Sequence, residues 1–154
     1  MKIYLIGSLR NPEIPRVGDQ LRRAGFDVFD DWFAGGPIAD DSWQEYEKGR
    51  GRDYRTALYG PAARNIFQFD HSNLVKSDAA VLVLPAGKSG HLELGFMVGL
   101  GKRGYVLFPE EPERWDVMYQ FADDVFFSTD TLIRDLSHWL SSSESSSSSS
   151  SQEQ

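Results

Sequence analysis

Short apolar runs alternate with amphipathic stretches along this chain, the rhythm of an α/β domain. Lys2 to Ile6 predicts a first strand ending at Gly7-Ser8. Ile14 to Ala24 places Val17, Leu21 and Ala24 on one face and predicts a helix stopped by Gly25. Phe26 to Phe29 predicts a short second strand, followed by Asp30-Asp31-Trp32-Phe33. Beyond a polar loop through Gly35-Gly36-Pro37, the stretch from about Trp43 to Lys76 reads as mostly helical, broken near Gly49 to Gly51 and at Gly60-Pro61. Ala79 to Leu84 is continuously apolar and predicts a buried third strand. His91 to Gly101 predicts its helix, with Gly95 and Gly99 four apart to let it lie close against the sheet. Tyr105 to Phe108 and Val125 to Phe127 predict two further strands, each followed by a helix, at Arg114 to Phe121 and at Thr129 to Leu140 with the order strand, helix, strand, helix. The expectation is a Rossmann- or flavodoxin-like three-layer α/β fold, residues 1–140, with a five-stranded, mainly parallel sheet.

From Ser141 the chain is almost pure serine, so 141–154 has nothing apolar to bury and reads as a disordered tail without assigned function. The remaining composition supports one domain of ordinary size, with 40% apolar and 13% aromatic residues to build its core. A net charge of −7 argues against binding polymeric nucleic acid or an anionic membrane. With no cysteine, disulfides, thiolate catalysis and cysteine-based zinc sites are excluded, and His71, His91 and His138 lack metal-ligand spacing. Met1-Lys2 leads straight into a strand with no signal-peptide or membrane-span pattern, so a cytoplasmic location is the expectation.

Candidate chemistry gathers at the strand ends. The third strand breaks at Pro85 into Ala86-Gly87-Lys88-Ser89-Gly90 before its helix, and such strand–turn–helix corners suit anions. Glu93 follows, placed by this reading in the first helical turn, where the macrodipole favours an ionised carboxylate facing a ligand. A capping residue is the plainer reading, though neither Ser89 nor Gly90 as the cap completes a capping box with it. The corresponding turn after the first strand is Gly7-Ser8-Leu9-Arg10, a hydroxyl and a guanidinium fork suited to phosphate. With a switch point between the first and third strands, Tyr4, Ser8, Arg10, Ser89 and Glu93 would share one crevice. Asp70, near the end of the long helical stretch, fits an exposed charge as well as a proton donor or substrate ligand, and Asp78 reads as a solvated or capping residue.

Taken together, Tyr4-Leu5-Ile6-Gly7-Ser8-Leu9-Arg10, Asp70 with Asp78, and Gly90-His91-Leu92-Glu93-Leu94-Gly95 resemble the nucleoside 2-deoxyribosyltransferase family. The branch they resemble most is that of the 2'-deoxynucleoside 5'-monophosphate N-glycosidases, over about residues 2 to 127. The resemblance implies cleavage of an N-glycosidic bond with neither metal nor organic cofactor. It implies that Glu93 is the nucleophile forming a deoxyribosyl-enzyme, that Tyr4 orients it, and that Asp70 protonates the departing base. Ser8 and Arg10 match residues gripping a 5'-phosphate, with Gly7, Gly87, Ser89 and Gly90 in the matching turns.

Family transferases acting on free nucleosides carry an acidic residue six before the nucleophile; Gly87 stands there and favours a monophosphate. Family dimers lend a residue from a neighbouring subunit, and Asp124 is its approximate match, so a homodimer or larger homo-oligomer is implied. Trp32, with Asp30, Asp31 and Phe33, fits a base pocket and fits core or lid equally well. Transfer between free nucleosides, a noncatalytic nucleotide-binding domain and a tail-dependent interaction protein are the alternatives, since fold alone does not fix function.

Overall fold

The structure, a computed structural model, describes residues 1–148. Five parallel strands, β1 (Lys2–Ile6), β2 (Asp27–Phe29), β3 (Ala79–Val83), β4 (Arg103–Leu107) and β5 (Asp124–Phe126), form one sheet in the order β2-β1-β3-β4-β5. Helices α1 (Glu13–Arg23) and α6 (Thr129–Ser148) cover one face, and α4 (Pro61–Lys76) and α5 (Lys88–Gly99) the other. Between β2 and α4 the chain makes a 3-10 turn (Asp31–Gly35), α2 (Ala39–Gly49) and the short α3 (Tyr54–Leu58). A second 3-10 turn, Val117–Phe121, precedes β5. The three-layer parallel architecture is therefore as the apolar pattern predicts, and the switch point falls between β1 and β3.

Strand alternation sorts the core into two halves. Ile3, Leu5, Val81 and Leu107 pack with Ile14, Val17 and Leu21 of α1 and Leu132 and Leu136 of α6. Tyr4, Ile6, Leu82 and Val106 point the opposite way, against Leu74 of α4 and Leu94 and Met97 of α5. This places the Tyr4 side chain in the α4–α5 layer, at the β1/β3 junction.

Two expectations need correction. Helix α5 begins at Lys88, three residues before the predicted His91, with Gly87 as its cap. Lys88-Ser89-Gly90 join the helix because Gly90 is buried against the sheet: a Cβ there would meet Leu82 at 3.0 Å and Ile6 at 3.2 Å. Close approach thus falls to Gly90, and to Gly104 on β4, whose added Cβ would lie 2.7 Å from Val98 and 2.9 Å from Leu94. Gly95 and Gly99, expected in that role, face open space. Helix α6 runs into the serine tract as far as Ser148, where Ser141 donates to Ser137 O at 3.0 Å and Ser142 to His138 O at 3.0 Å, hydroxyls returning to carbonyls of the preceding turn. The rest of the tail, 149–154, lies outside the described residues.

Among the described residues no helix is long and apolar enough to cross a membrane.

Candidate active site

The parallel register pairs Ile6 with Leu82, so the turns after β1 and β3 leave the sheet side by side. Their contact is direct: a Cβ on Gly7 would sit 3.4 Å from Val83 O, and one on Gly90 against Ile6. Both glycines therefore keep the two turns together. Below them, Tyr4 (1% exposed) meets Asp70 from the middle of α4 and Glu93 from the second turn of α5. The structure brings together Tyr4, Asp70 and Glu93, which lie far apart in the chain.

Their electrostatics depend on burial and on one another. Burial first, then the charge of Asp70, pushes the Glu93 carboxyl up to about 7, while a hydrogen bond with Tyr4 works in the other direction. Burial also raises Asp70, again opposed by Tyr4. The Tyr4 phenol is raised far above its ordinary value by burial and then by the negative fields of Glu93 and Asp70. Tyr4 consequently keeps its proton and has one O–H to donate and lone pairs to accept with. With one proton on the carboxyl pair, a hydroxyl beside both has the chemistry to accept from the acid and donate to the carboxylate.

Two sequence expectations change here. Glu93 is the sixth residue of α5, outside the first turn, so the macrodipole gives it little. Desolvation dominates instead and raises the Glu93 carboxyl to about 7, the opposite of what a helix-terminus position would do. Asp70 lies at the tenth of the sixteen residues of α4, not near its end, so its position carries no helix-dipole penalty. What is unfavourable about Asp70 is its burial beside a second carboxyl.

The turn residues are arranged as follows. Ser8 Oγ accepts from the Arg10 backbone N–H at 3.1 Å, closing the turn after β1. The Arg10 guanidinium is exposed and pairs with Asp41 of α2 at 3.3 Å. Gly87 caps α5, Ser89 is exposed in its first turn, and the first backbone N–H groups of α5 point out of the helix start.

Other candidates are placed apart. Trp32 donates its indole N–H to Leu5 O at 2.7 Å and packs against both core halves, which favours the structural reading over a base pocket. Asp30 is held by Arg22 and packs on Gly18. Asp78 accepts the Lys2 backbone N–H at 2.8 Å and caps the start of β1, in line with its reading as a capping residue. Asp124 opens β5 opposite Tyr105, with β3 and β4 between it and β1, and its carboxylate accepts the Val125 N–H at 2.7 Å.

Sequence reasoning missed two parts of the neighbourhood. Phe29 lies between Tyr4 (centroids 5.1 Å apart) and Phe69 (5.7 Å), an aromatic row that ends on Tyr4. Phe69 precedes Asp70 and is half exposed, a signal available only once α4 is docked. His91 joins the Gly87 turn to Tyr119 of the second 3-10 turn.

The same fold occurs in known proteins. A 2-deoxyribosyltransferase from Bacillus psychrosaccharolyticus superposes with a TM-score of 0.60 at 18% identity, covering 86% of this chain and 90% of that one. The CMP N-glycosidase of Clostridium botulinum superposes with a TM-score of 0.52 at 14% identity, covering 90% of this chain and 99% of the other. No protein-family model and no curated protein sequence matches the chain. At these identities, the structural likeness establishes the fold that holds Tyr4, Asp70 and Glu93 together.

Proposed function

We propose that this protein is an N-glycosidase of 2'-deoxynucleoside 5'-monophosphates, working through a covalent deoxyribosyl-glutamate. The observation carrying this reading is the trio of buried Tyr4 with half-buried Asp70 and Glu93, beneath two adjoining glycine turns. The folds shared with a deoxyribosyltransferase and a CMP N-glycosidase support it.

In the reaction, Glu93 as carboxylate attacks C1' while the C1'–N bond breaks and its electron pair leaves with the base. Asp70 as acid gives its proton to the base nitrogen. Water then attacks C1', passes a proton to Asp70, and frees Glu93 with net retention. The productive state has the shared proton on Asp70, whereas burial raises the Glu93 carboxyl to about 7. Tyr4 supplies the route by which that proton changes sides. Ser8, Arg10 and the Gly87-Lys88-Ser89-Gly90 turn take the 5'-phosphate, a role suited to a guanidinium fork and helix N–H groups. Arg10 leaves Asp41 to do so.

The working form is a homodimer or higher homo-oligomer in the cytoplasm. Leu92, Trp115, Val117 and Phe121 stand out as large exposed apolar side chains, and Gly95 and Gly99 floor an apolar cavity of about 440 Å³ beside them. In a dimer, Asp124 of one copy approaches the site of the other.

Chromatography of each deoxynucleoside and its 5'-monophosphate, with and without a second base, tests the reading. Wild type is expected to release base from monophosphates, and Glu93→Gln to lose at least about three orders of magnitude in kcat. Tight nucleotide binding without base release by wild type would leave a noncatalytic nucleotide-binding domain. Base exchange would make water the lesser acceptor and the protein a transferase.

A further inference from the structure

The His91 ring lies at hydrogen-bonding distance from two groups on different segments. Nδ1 is 2.8 Å from Gly87 O, and Nε2 is 2.9 Å from the Tyr119 hydroxyl. A carbonyl oxygen only accepts, so Nδ1 carries the proton. Nε2 then presents a lone pair, and the Tyr119 hydroxyl donates to it. Burial, then nearby Asp116, raises the Tyr119 phenol, which keeps this donor protonated. Tyr119 is itself seated by an edge-on contact with Phe108, with centroids 5.3 Å apart.

The Gly87 carbonyl belongs to the peptide whose N–H is that of Lys88, and a peptide is planar with C=O and N–H opposed. Gly87 has no side chain to cap the helix, so its carbonyl is held by the first backbone bond of α5 and by the His91 ring. Holding the oxygen along the helix directs the Lys88 N–H out of the helix start.

We propose that His91 is a positioning residue for the substrate's phosphate: as the Nδ1–H tautomer, selected by Tyr119, it locks the Gly87–Lys88 peptide plane so that the turn's N–H groups converge on the anion. The proposal rests on the phosphate reading of this turn. His91 touches no reacting atom, so its effect falls on binding rather than on bond cleavage. It also ties the turn to the segment leading into Asp123, whose carboxylate accepts the Gly104 N–H at 2.8 Å. The phosphate end of the site is thereby braced against β4.

Amide side chains separate the two nitrogens, because asparagine places its NH₂ near the Nδ1 position and glutamine near Nε2. Inorganic phosphate titration followed at the Lys88 amide by NMR gives affinity without turnover. Steady-state kinetics on a deoxynucleoside and its 5'-monophosphate separate KM from kcat. His91→Gln is expected to weaken phosphate about tenfold and raise the monophosphate KM about tenfold, the loss of one well-placed hydrogen bond. Its kcat and its kinetics on the free nucleoside should stay within about twofold of wild type. His91→Asn, keeping the bond to Gly87, should stay within about threefold of wild type. Ring ¹⁵N shifts should show the Nδ1–H tautomer in wild type and a mixture in Tyr119→Phe.

A wild-type Nε2–H tautomer overturns the proposal before any variant is compared. A wild-type phosphate response matched by His91→Gln, or an Asn variant as weak as Gln, overturns the role of His91 and leaves the phosphate reading standing. Absence of any phosphate response at Lys88 in wild type overturns both.

Discussion

Tyr4 has a buried hydroxyl that two carboxyls need, and most of the site's behaviour at the residue scale follows from that. Because the Tyr4 hydrogen bond lowers Glu93, Tyr4→Phe should move the Glu93 carboxyl above about 7, and ¹³C titration would read it. Asp70→Asn should move it the other way by removing the charge that raises it. Linkage gives a second expectation. The folded value of Glu93 is raised from 4.5 to about 7, so the native state holds the extra proton in that window and stability falls as pH rises through it. Below the lower value no penalty exists; above the higher one it is complete. At about 1.4 kcal/mol per unit, Glu93→Gln should therefore stabilise the fold by up to about 3 kcal/mol at pH 8 and by almost nothing at pH 4. Urea denaturation at the two pH values measures this, and an equal effect at both would refute the burial account. That the turns after β1 and β3 adjoin was legible in the strand–turn–helix pattern, whereas Asp70, inside α4, was singled out only through the family resemblance. Protonation at the site was not legible. Glu93 as a helix-terminus carboxylate implied an ionised group, and only its burial beside Tyr4 and Asp70 reveals the desolvation that reverses this.

At the scale of elements, β1 and β3 were readable because their apolar runs are buried on both faces, and the break of the long helical stretch at Gly60-Pro61 fell where the α4 start signals lie. The start of α5 was not, because its first residues gain their helical state from Gly90 seating on Leu82 and Ile6, a tertiary effect. The four glycines around α5 consequently differ in a testable way. Gly95→Ala adds a methyl into open space inside a helix and should stabilise by about 0.5–1 kcal/mol. Gly104→Val overfills the contact with Val98 and Leu94 and should destabilise by about 2 kcal/mol. Denaturant midpoints of the two variants test the assignment, which swaps the roles that spacing alone suggested.

For the whole molecule, the surface around Leu92, Trp115 and Val117 is one of the apolar surfaces left exposed among the described residues. Sedimentation should find a homodimer or larger, and Leu92→Asp with Val117→Asp should yield monomers with melting temperature nearly unchanged. Truncation after Leu140 should leave turnover unaffected, because residues 141–147 are exposed and their side-chain bonds stay within α6. Such a surface was invisible in the sequence, where exposed and core leucines look alike. The polar excursion from Ala34 to Pro61 was equally opaque: α2 buries a single residue, Glu47, clasped by Arg52 at 2.8 Å, a pairing no periodicity announces.

That excursion also carries Asp41, the present partner of Arg10. Exposed ion pairs of this kind contribute no more than about 1 kcal/mol, so a phosphate displaces the carboxylate at small cost. Asp41 is in effect a tethered competitor, present at fixed local concentration however dilute the solution. On the proposed phosphate role of Arg10, it would lower affinity for every phosphate-bearing molecule alike, a sugar-phosphate product included, and so hasten the clearing of the site between turnovers.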